Sequence, residues 1–272
     1  TFTDKENEFK QKILETRSKL NYMLNLESES EGYTRSVKSI IDLSRRNAKY
    51  TDHVFGTLAS LISTDEKYEK AIEIAMGGYI QNIVVDKDAV AKDLVNFLKD
   101  GMLGRATFLP IESIRLYKED IPATLKKETG YIGTAMELVS FDKKFEAVAR
   151  LALGRTIVVD TIENGIKISK VSKNSAKIVT LAGEVIATTG SITGGQAASK
   201  QMTLVGRGRR INEYKERLAT LEKEYAKHLD SIKKEQGSYT EIVAKLETVT
   251  VQYTEANTAY SVTEERLNQA IK

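Results

Sequence analysis

From Ile211 to Leu267 every seventh residue is apolar or aromatic: Ile211, Leu218, Tyr225, Ile232, Tyr239, Leu246, Tyr253, Tyr260 and Leu267. The companion positions three residues on are Tyr214, Leu221, His228, Glu235, Ile242, Val249, Ala256, Thr263 and Ala270. Only His228, Glu235 and Thr263 depart from an apolar seam. A 3.5-residue period held this long specifies a left-handed coiled coil rather than a helix lying on a globule. At 1.5 Å per residue such an arm is about 90 Å long. His228 and Glu235 are read as residues that set register or face solvent, not as ligands.

The breakers say where the arms end. Of 17 glycines, 15 fall between Gly56 and Gly208, and both prolines, Pro110 and Pro122, lie in the same stretch. Only Gly32 interrupts residues 1–50 and only Gly237 interrupts 210–272, so each flank is expected to be one long helix. The chain therefore divides into an N-terminal coiled-coil arm at 1–50, a centre at 51–209 and a C-terminal arm at 210–272. The N-terminal arm is less regular. Leu26, Tyr33 and Ile40 are seven apart with Leu43 in the next seam slot, whereas Phe2 and Phe9 keep another register, and a register shift between them is expected. A compact centre whose ends emerge side by side lets the two arms pair antiparallel within one chain; the alternative is that each arm pairs with another chain.

Several chemistries are excluded at once. Without cysteine there are no disulfides, thiol nucleophiles or thiolate zinc sites. His53 and His228 are the only histidines, so a histidine-built metal site is not expected, and no metal is assigned. No apolar run approaches a membrane span and no signal-peptide pattern opens the chain, so a soluble, intracellular protein is expected. The chain begins at Thr1 rather than methionine, from which a segment of a longer protein is expected.

The centre contains a duplication. KYEKAIEIAMG (67–77) followed by IVVD (83–86) matches KFEAVARLALG (144–154) followed by IVVD (157–160). In each copy helical spacing runs to a glycine that fits a helix C-cap, and a buried strand follows. A helical pattern and a second strand come next, DAVAKDLVNFLKDG with RATFLPI in the first copy and TIENGIKISKVSKNS with AKIVTLAG in the second. Strand, helix, strand implies a parallel crossover, so each copy forms a small sheet with helices packed on it. These are subdomains one (about 51–125) and two (about 126–209). The second copy carries an extra hairpin-like tail, GEVIATTGSITGGQ.

Catalytic readings of these motifs are weak. GSITGGQ has the glycine spacing of a phosphate loop at Gly190 and Gly195, but Gln196 and Ala197 stand where lysine and Ser/Thr are needed. Asp86 and Asp160 occupy equivalent strand ends, where capping the next helix is expected rather than acid–base work. His53 beside Asp52 has no nucleophile motif nearby. Charge is more informative. The stretch 51–206 carries 19 basic and 19 acidic residues, while the excess behind the net +3 sits at the junctions. Arg35, Lys38, Arg45, Arg46 and Lys49 face only Asp42, and Arg207, Arg209 and Arg210 have no acid among them. If the arm roots converge, these clusters form one patch of about +7 suited to the sequence-blind, salt-sensitive neutralisation of DNA phosphates. Arg45, Arg46, Lys49, Arg207, Arg209 and Arg210 are the expected DNA-binding residues.

Arm, duplicated glycine-rich centre and returning arm together resemble the hinge domain of SMC (structural maintenance of chromosomes) proteins. GTLASLI (56–62), EKAIEIAMGGYIQNIVVD (69–86), GRATFLPI (104–111), LGRTIVVD (153–160) and TGSITGG (189–195) resemble the bacterial, condensin-like branch. The resemblance implies a mixed α/β duplicated hinge domain carried on a long antiparallel intramolecular coiled coil. It also implies a homodimer closed through the glycine turn, with Gly190, Ser191, Gly194 and Gly195 at the interface. Thr189 stands at the family's first glycine and Ile192 at its methionine, and Thr189 tests whether that position needs glycine's backbone freedom. The cysteine-based zinc hook of related proteins is excluded. ATP, magnesium and accessory condensin subunits are expected only at head domains absent from this segment, so no cofactor and no catalysis are expected here. Chromosome condensation and segregation in a bacterial, nucleoid-associated cytoplasmic setting is the implied role. Two other readings stay open: a small α/β phospholigand-binding enzyme with oligomerising arms, and a scaffold protein.

Overall fold

A computed structural model describes residues 2–115, 121–195 and 203–271. In chain order the elements are α1 (Phe2–Ser28), α2 (Arg35–Arg46), α3 (Ala48–Thr51), β1 (Val54–Thr57), α4 (Leu58–Leu61), β2 (Ser63–Thr64), α5 (Glu69–Met76), β3 (Ile83–Val85), α6 (Asp88–Asp100) and β4 (Phe108–Pro110). They continue as β5 (Tyr131–Thr134), β6 (Val139–Ser140), α7 (Glu146–Leu153), β7 (Thr156–Val159), α8 (Ile162–Val171), β8 (Lys177–Thr180), β9 (Val185–Ile186), β10 (Ile192–Thr193) and α9 (Arg207–Ile271). Contacts divide the chain into two units, residues 20–213 and residues 1–19 with 214–272.

The duplication is visible in the sheets of the first unit. One has the order β1-β3-β4 and the other β10-β9-β8-β7-β5. In the first, β1 is antiparallel to β3 and β3 parallel to β4. In the second, β5 is antiparallel to β7 and β7 parallel to β8. Each copy is thus the same antiparallel strand plus parallel crossover; the second adds the antiparallel strands β9 and β10. A short β2–β6 ladder ties the copies together.

Alternation along the strands builds the layers, because successive side chains leave a strand on opposite faces. Val84 of the first sheet and Val158 and Val179 of the second join one buried cluster with Ala71, Ile72, Ala75 and Met76 of α5 and Val148, Ala149 and Leu153 of α7. The neighbouring residues Ile83 and Val85 face a second cluster with Val37 and Ile40 of α2 and Leu94 and Leu98 of α6. On the other sheet Ile157, Val159 and Ile178 face a third cluster with Ile168 of α8. The equivalent helices α5 and α7 therefore lie between the two sheets, with α2 and α6 outside one and α8 outside the other.

The N-terminal flank is not one helix. It breaks after Ser28 through Ser30 (φ 50°) and Gly32 (φ 88°). Residues 35–46 then form an amphipathic helix whose Val37 and Ile40 complete the core of the first copy. Leu26, Tyr33 and Ile40 thus keep a seven-residue spacing across three different local structures. By contrast, α9 runs unbroken through Gly237, about 98 Å at 1.5 Å per residue.

In the second unit α1 and α9 run antiparallel. Arg17 Nη2 meets Glu222 Oε1 at 2.7 Å, Phe9 packs on Tyr225 and His228 with ring centroids 6.1 and 5.7 Å away, and the Tyr225 hydroxyl donates to Glu6 at 3.4 Å. His228 sits in the seam as an aromatic partner of Phe9. Further along α9, the heptad residues Tyr239, Leu246, Tyr253, Tyr260 and Leu267 are exposed.

Candidate dimer edge and nucleic-acid interface

The glycine turn hangs on the free edge of the larger sheet. Ala187 N donates to Ser191 O at 2.9 Å and Gly190 N to Ala187 O at 2.8 Å, closing a tight turn between β9 and β10. Gly190 takes φ 85° and Gly195 φ 120°, the left-handed region where glycine alone is unstrained. Thr189 keeps negative φ, so the loss of the family glycine there costs no backbone strain; its hydroxyl lies 3.1 Å from that of Ser191. Both residues of β10 are exposed, Ile192 by 55%. A Cβ on Gly195 would meet nothing within 4 Å, and one on Gly194 only the flexible Glu184 side chain. Gly190, Ser191, Gly194 and Gly195 thus flank one short edge strand that presents an apolar side chain, Ile192, and has no outer neighbour among the described residues, the form in which a strand pairs with another chain. Gln196 and Ala197 lie outside the described residues.

A second free edge belongs to β4, which closes the smaller sheet and carries Pro110, a residue at home only on edges. Its equivalent in the second copy, β8, has that side covered by β9.

The basic residues are placed differently from the expected continuous patch. Arg207 is buried and spends its guanidinium on the last carbonyls around α1, Leu26 O at 3.2 Å and Glu31 O at 3.0 Å. Arg45 does the same from the other cluster, donating to Ser28 O at 3.2 Å and Glu27 O at 3.4 Å. The two clusters do converge, but on the carbonyl end of a helix, where positive charge offsets the dipole.

Arg209 and Arg210 are also committed. Both grip the carboxylate of buried Glu69, Arg209 Nη2 at 2.5 Å and Arg210 Nη2 at 2.8 Å. Arg209 also pairs with Glu213, and Arg210 donates to Thr203 Oγ1 at 2.6 Å. Neighbouring Glu73 accepts from Leu204 N at 2.8 Å, and burial holds its carboxyl above the ordinary range. The expectation of a patch of about +7 including Arg207, Arg209 and Arg210 is therefore corrected: Glu69 and the carbonyls around the end of α1, far away in sequence, take up these guanidiniums together with nearby Glu213.

The open cations lie along α2. Arg35 and Arg46 are exposed and Lys38 half-buried, all without a partner among the described residues, and Lys49 is exposed while paired with Asp93 at 2.7 Å. Such a surface pair is weak and readily exchanged for a phosphate. Arg105 adds another guanidinium, free among the described residues, beside the start of α2, its carbonyl accepting from Ser36 Oγ at 2.7 Å. It was not singled out in the sequence, because only the packing of α2 against residues 103–108 brings it to this ridge.

Asp86 and Asp160, equivalent by sequence, do not cap helices alike. Asp86 Oδ2 holds His53 Nδ1 at 2.6 Å, whereas Asp160 accepts from Thr161 N and from the Asn164 side chain. Thr161 is the residue that caps α8. Among the described residues no group of three or more His, Asp or Glu is placed to hold a metal, and no helix is long and apolar enough to cross a membrane.

Known proteins share this arrangement. The family model described as SMC proteins Flexible Hinge Domain matches residues 51–169. The chain is 38% identical over 192 residues to Chromosome partition protein Smc of Desulfitobacterium hafniense, spanning 71% of the chain and 16% of that protein. It is 33% identical over 219 residues to the Bacillus subtilis protein of the same name, spanning 79% and 18%. The chain thus spans under a fifth of the length of these relatives. Among solved structures, it is similar to an asymmetric dimer of the Geobacillus stearothermophilus SMC hinge domain, with 26% identity, TM-score 0.74, 84% of this chain and 91% of that one. It is also similar to a Pyrococcus furiosus Smc hinge domain with an extended coiled coil, with 25% identity, TM-score 0.51 and 91% of each chain.

Proposed function

The chain belongs to the hinge family of SMC proteins, and from that premise we propose that it is the homodimerisation hinge of a chromosome partition protein, with a DNA-contacting ridge beside it. The observation that carries the reading is that the two sheets end on unlike strands, β4 in one and β10 in the other. Among the described residues neither β10 nor β4 has an outer neighbour. Two identical chains related by a two-fold axis satisfy these two edges if β10 of each pairs with β4 of the other, which leaves β1 and β5 as the end strands of the joined sheets. The glycine turn supports this by keeping Cβ atoms away from the approaching backbone. Gly190, Ser191, Gly194 and Gly195 are the proposed contact residues.

The proposed DNA contact is non-specific and runs along α2 and into α3 through Arg46 and Lys49, joined by Arg35 and Lys38, with Arg45 contributing charge from its capping position. The segment has no catalytic role in this reading. Nucleotide hydrolysis, accessory subunits and chromosome segregation in the bacterial nucleoid belong to the longer protein.

The test of dimerisation is absolute mass by light scattering. The chain is 30.3 kDa, so a hinge dimer measures about 61 kDa. Ile192→Lys puts a charge on the edge strand without touching the core and is expected to give a folded monomer, as is the double change Gly194→Tyr with Gly195→Tyr. A wild-type monomer, or a dimer indifferent to both changes, defeats the reading.

A further inference from the structure

A pocket of about 530 Å³ opens beside the start of α2, between Thr34, the Gly77–Gly78 pair, Asn82, Arg105 and Thr107. That is within the range of small-ligand sites. No acidic residue lines it. Gln81 is spent on structure, its Oε1 accepting from Thr34 N at 2.9 Å and its Nε2 donating to Gly32 O at 3.2 Å. The guanidinium of Arg105, the carboxamide of Asn82 and the hydroxyl of Thr107 are left without an intramolecular partner among the described residues. Arg105 and Thr107 are exposed and Asn82 half-buried, so all three polar groups are open to a ligand from the same side. Gly77 turns at φ 52°, and a Cβ on Gly78 would meet nothing within 4 Å, so the glycine pair leaves this wall without side chains.

We propose that this pocket receives one nucleotide of a bound DNA strand, with its phosphate against Arg105 and its sugar or base edge against Asn82 and Thr107. The inference rests on the reading of α2 as a DNA-contacting ridge. Its geometry continues that ridge: Ser36 bonds the Arg105 backbone, and Arg35, Lys38 and Arg46 follow along the helix. From Arg35 to Arg46 the helix rises about 16 Å, the axial length of about five phosphates of one strand at about 3.4 Å each. A strand tracking the ridge ends its run at the pocket mouth. A fork of donors on arginine suits a phosphate there, and a neutral amide supplies hydrogen bonds that do not depend on salt.

The experiment is fluorescence anisotropy with labelled single- and double-stranded oligonucleotides at low salt across a salt series, on the wild-type chain and on Arg105→Ala, Arg105→Lys, Asn82→Ala and Arg46→Ala. Folding is checked by circular dichroism. Arg105→Ala is expected to weaken binding about tenfold, with partial recovery in Arg105→Lys, against about threefold for Arg46→Ala, which removes one ridge charge. Asn82→Ala is expected to weaken binding about threefold while leaving the salt slope unchanged, which a purely electrostatic surface does not allow. Wild-type protein that binds no DNA defeats the ridge reading itself. DNA binding unchanged in Arg105→Ala and Asn82→Ala overturns the pocket alone. Thymidine monophosphate or inorganic phosphate that binds as tightly as the oligonucleotide, and needs Arg105, also overturns it by making the ligand a free phosphate compound.

Discussion

Two glycines two residues apart at the root of α9 should respond to the same substitution with opposite signs. Gly206 is buried at φ 83°, and a Cβ there would overlap the carboxylate of Glu69. Gly206→Ala therefore has two costs. The left-handed backbone with a Cβ costs about 1–2 kcal/mol. Displacing Glu69, whose side chain is 7% exposed, separates it from Arg209 and Arg210, and breaking a buried pair costs about 3–5 kcal/mol. Arg209 retains Glu213, so a total of about 3–5 kcal/mol is expected. Gly208 lies inside the first turn of α9, exposed, with nothing within 4 Å of an added Cβ. Gly208→Ala should stabilise by about 0.5–1 kcal/mol, the helix preference for alanine. Urea unfolding followed by circular dichroism gives both values, and hydrogen exchange should show faster opening of residues 203–213 only in Gly206→Ala. A Gly206→Ala midpoint within the equivalent of 1 kcal/mol of wild type, or an equal loss in Gly208→Ala, refutes the claim that Glu69 anchors the root of the helix.

Two further changes test local readings. Met102 sits just past α6 at φ 48° and is almost fully exposed, so Met102→Gly should stabilise by about 1 kcal/mol in the same urea assay, because the position asks for glycine and the methionine packs on nothing. Glu73 holds its proton to higher pH in the folded chain than in the unfolded one, since burial disfavours its charged form. The folded state thus binds more protons just above the ordinary carboxylate range, and stability falls as pH rises through that window. Glu73→Gln keeps an acceptor for Leu204 N and should raise the melting temperature more at pH 7 than at pH 4; an equal shift at both pH values refutes the burial argument.

Much of the fold is legible in the sequence because it is carried by local periodicities. The heptads of α9 predict a single helix, and the paired IVVD phrases predict β3 and β7 with their parallel partners. The edge position of the glycine turn follows from the extra tail of the second copy. What is not legible depends on contacts far apart in the chain. Residues 35–46 have a helical period and a basic face whether they lie in a coiled coil or on a sheet; only the unoccupied outer face of β3 decides for the sheet. Arg207, Arg209 and Arg210 look like an open cluster because the groups that consume them, Glu69 and the carbonyls at the end of α1, are more than 130 residues away.

The duplication shows where such long-range information resides. Lys67-Tyr68-Glu69 and Lys144-Phe145-Glu146 open equivalent helices, yet Glu146 pairs locally with Arg150 at 2.9 Å while Glu69 clamps the root of α9. Asp86 and Asp160 end equivalent strands, yet one holds a histidine from β1's approach and the other an asparagine of the next helix. The strand after each crossover is equivalent too, yet β8 is covered by β9 while β4 is left open. Apolar positions agree between the copies because both must fill the same layers around α5 and α7. Polar positions and edges diverge because only the first copy receives the returning helix and only the second carries the hairpin. A symmetric pair of copies would leave the same edge open on each; the added β9–β10 hairpin replaces one of those edges with a different one. The two sheets then end, on the side opposite β1 and β5, in the unlike strands β4 and β10, and the pairing of each with the other's counterpart in a second identical chain is the physical basis for reading this centre as a self-complementary joint.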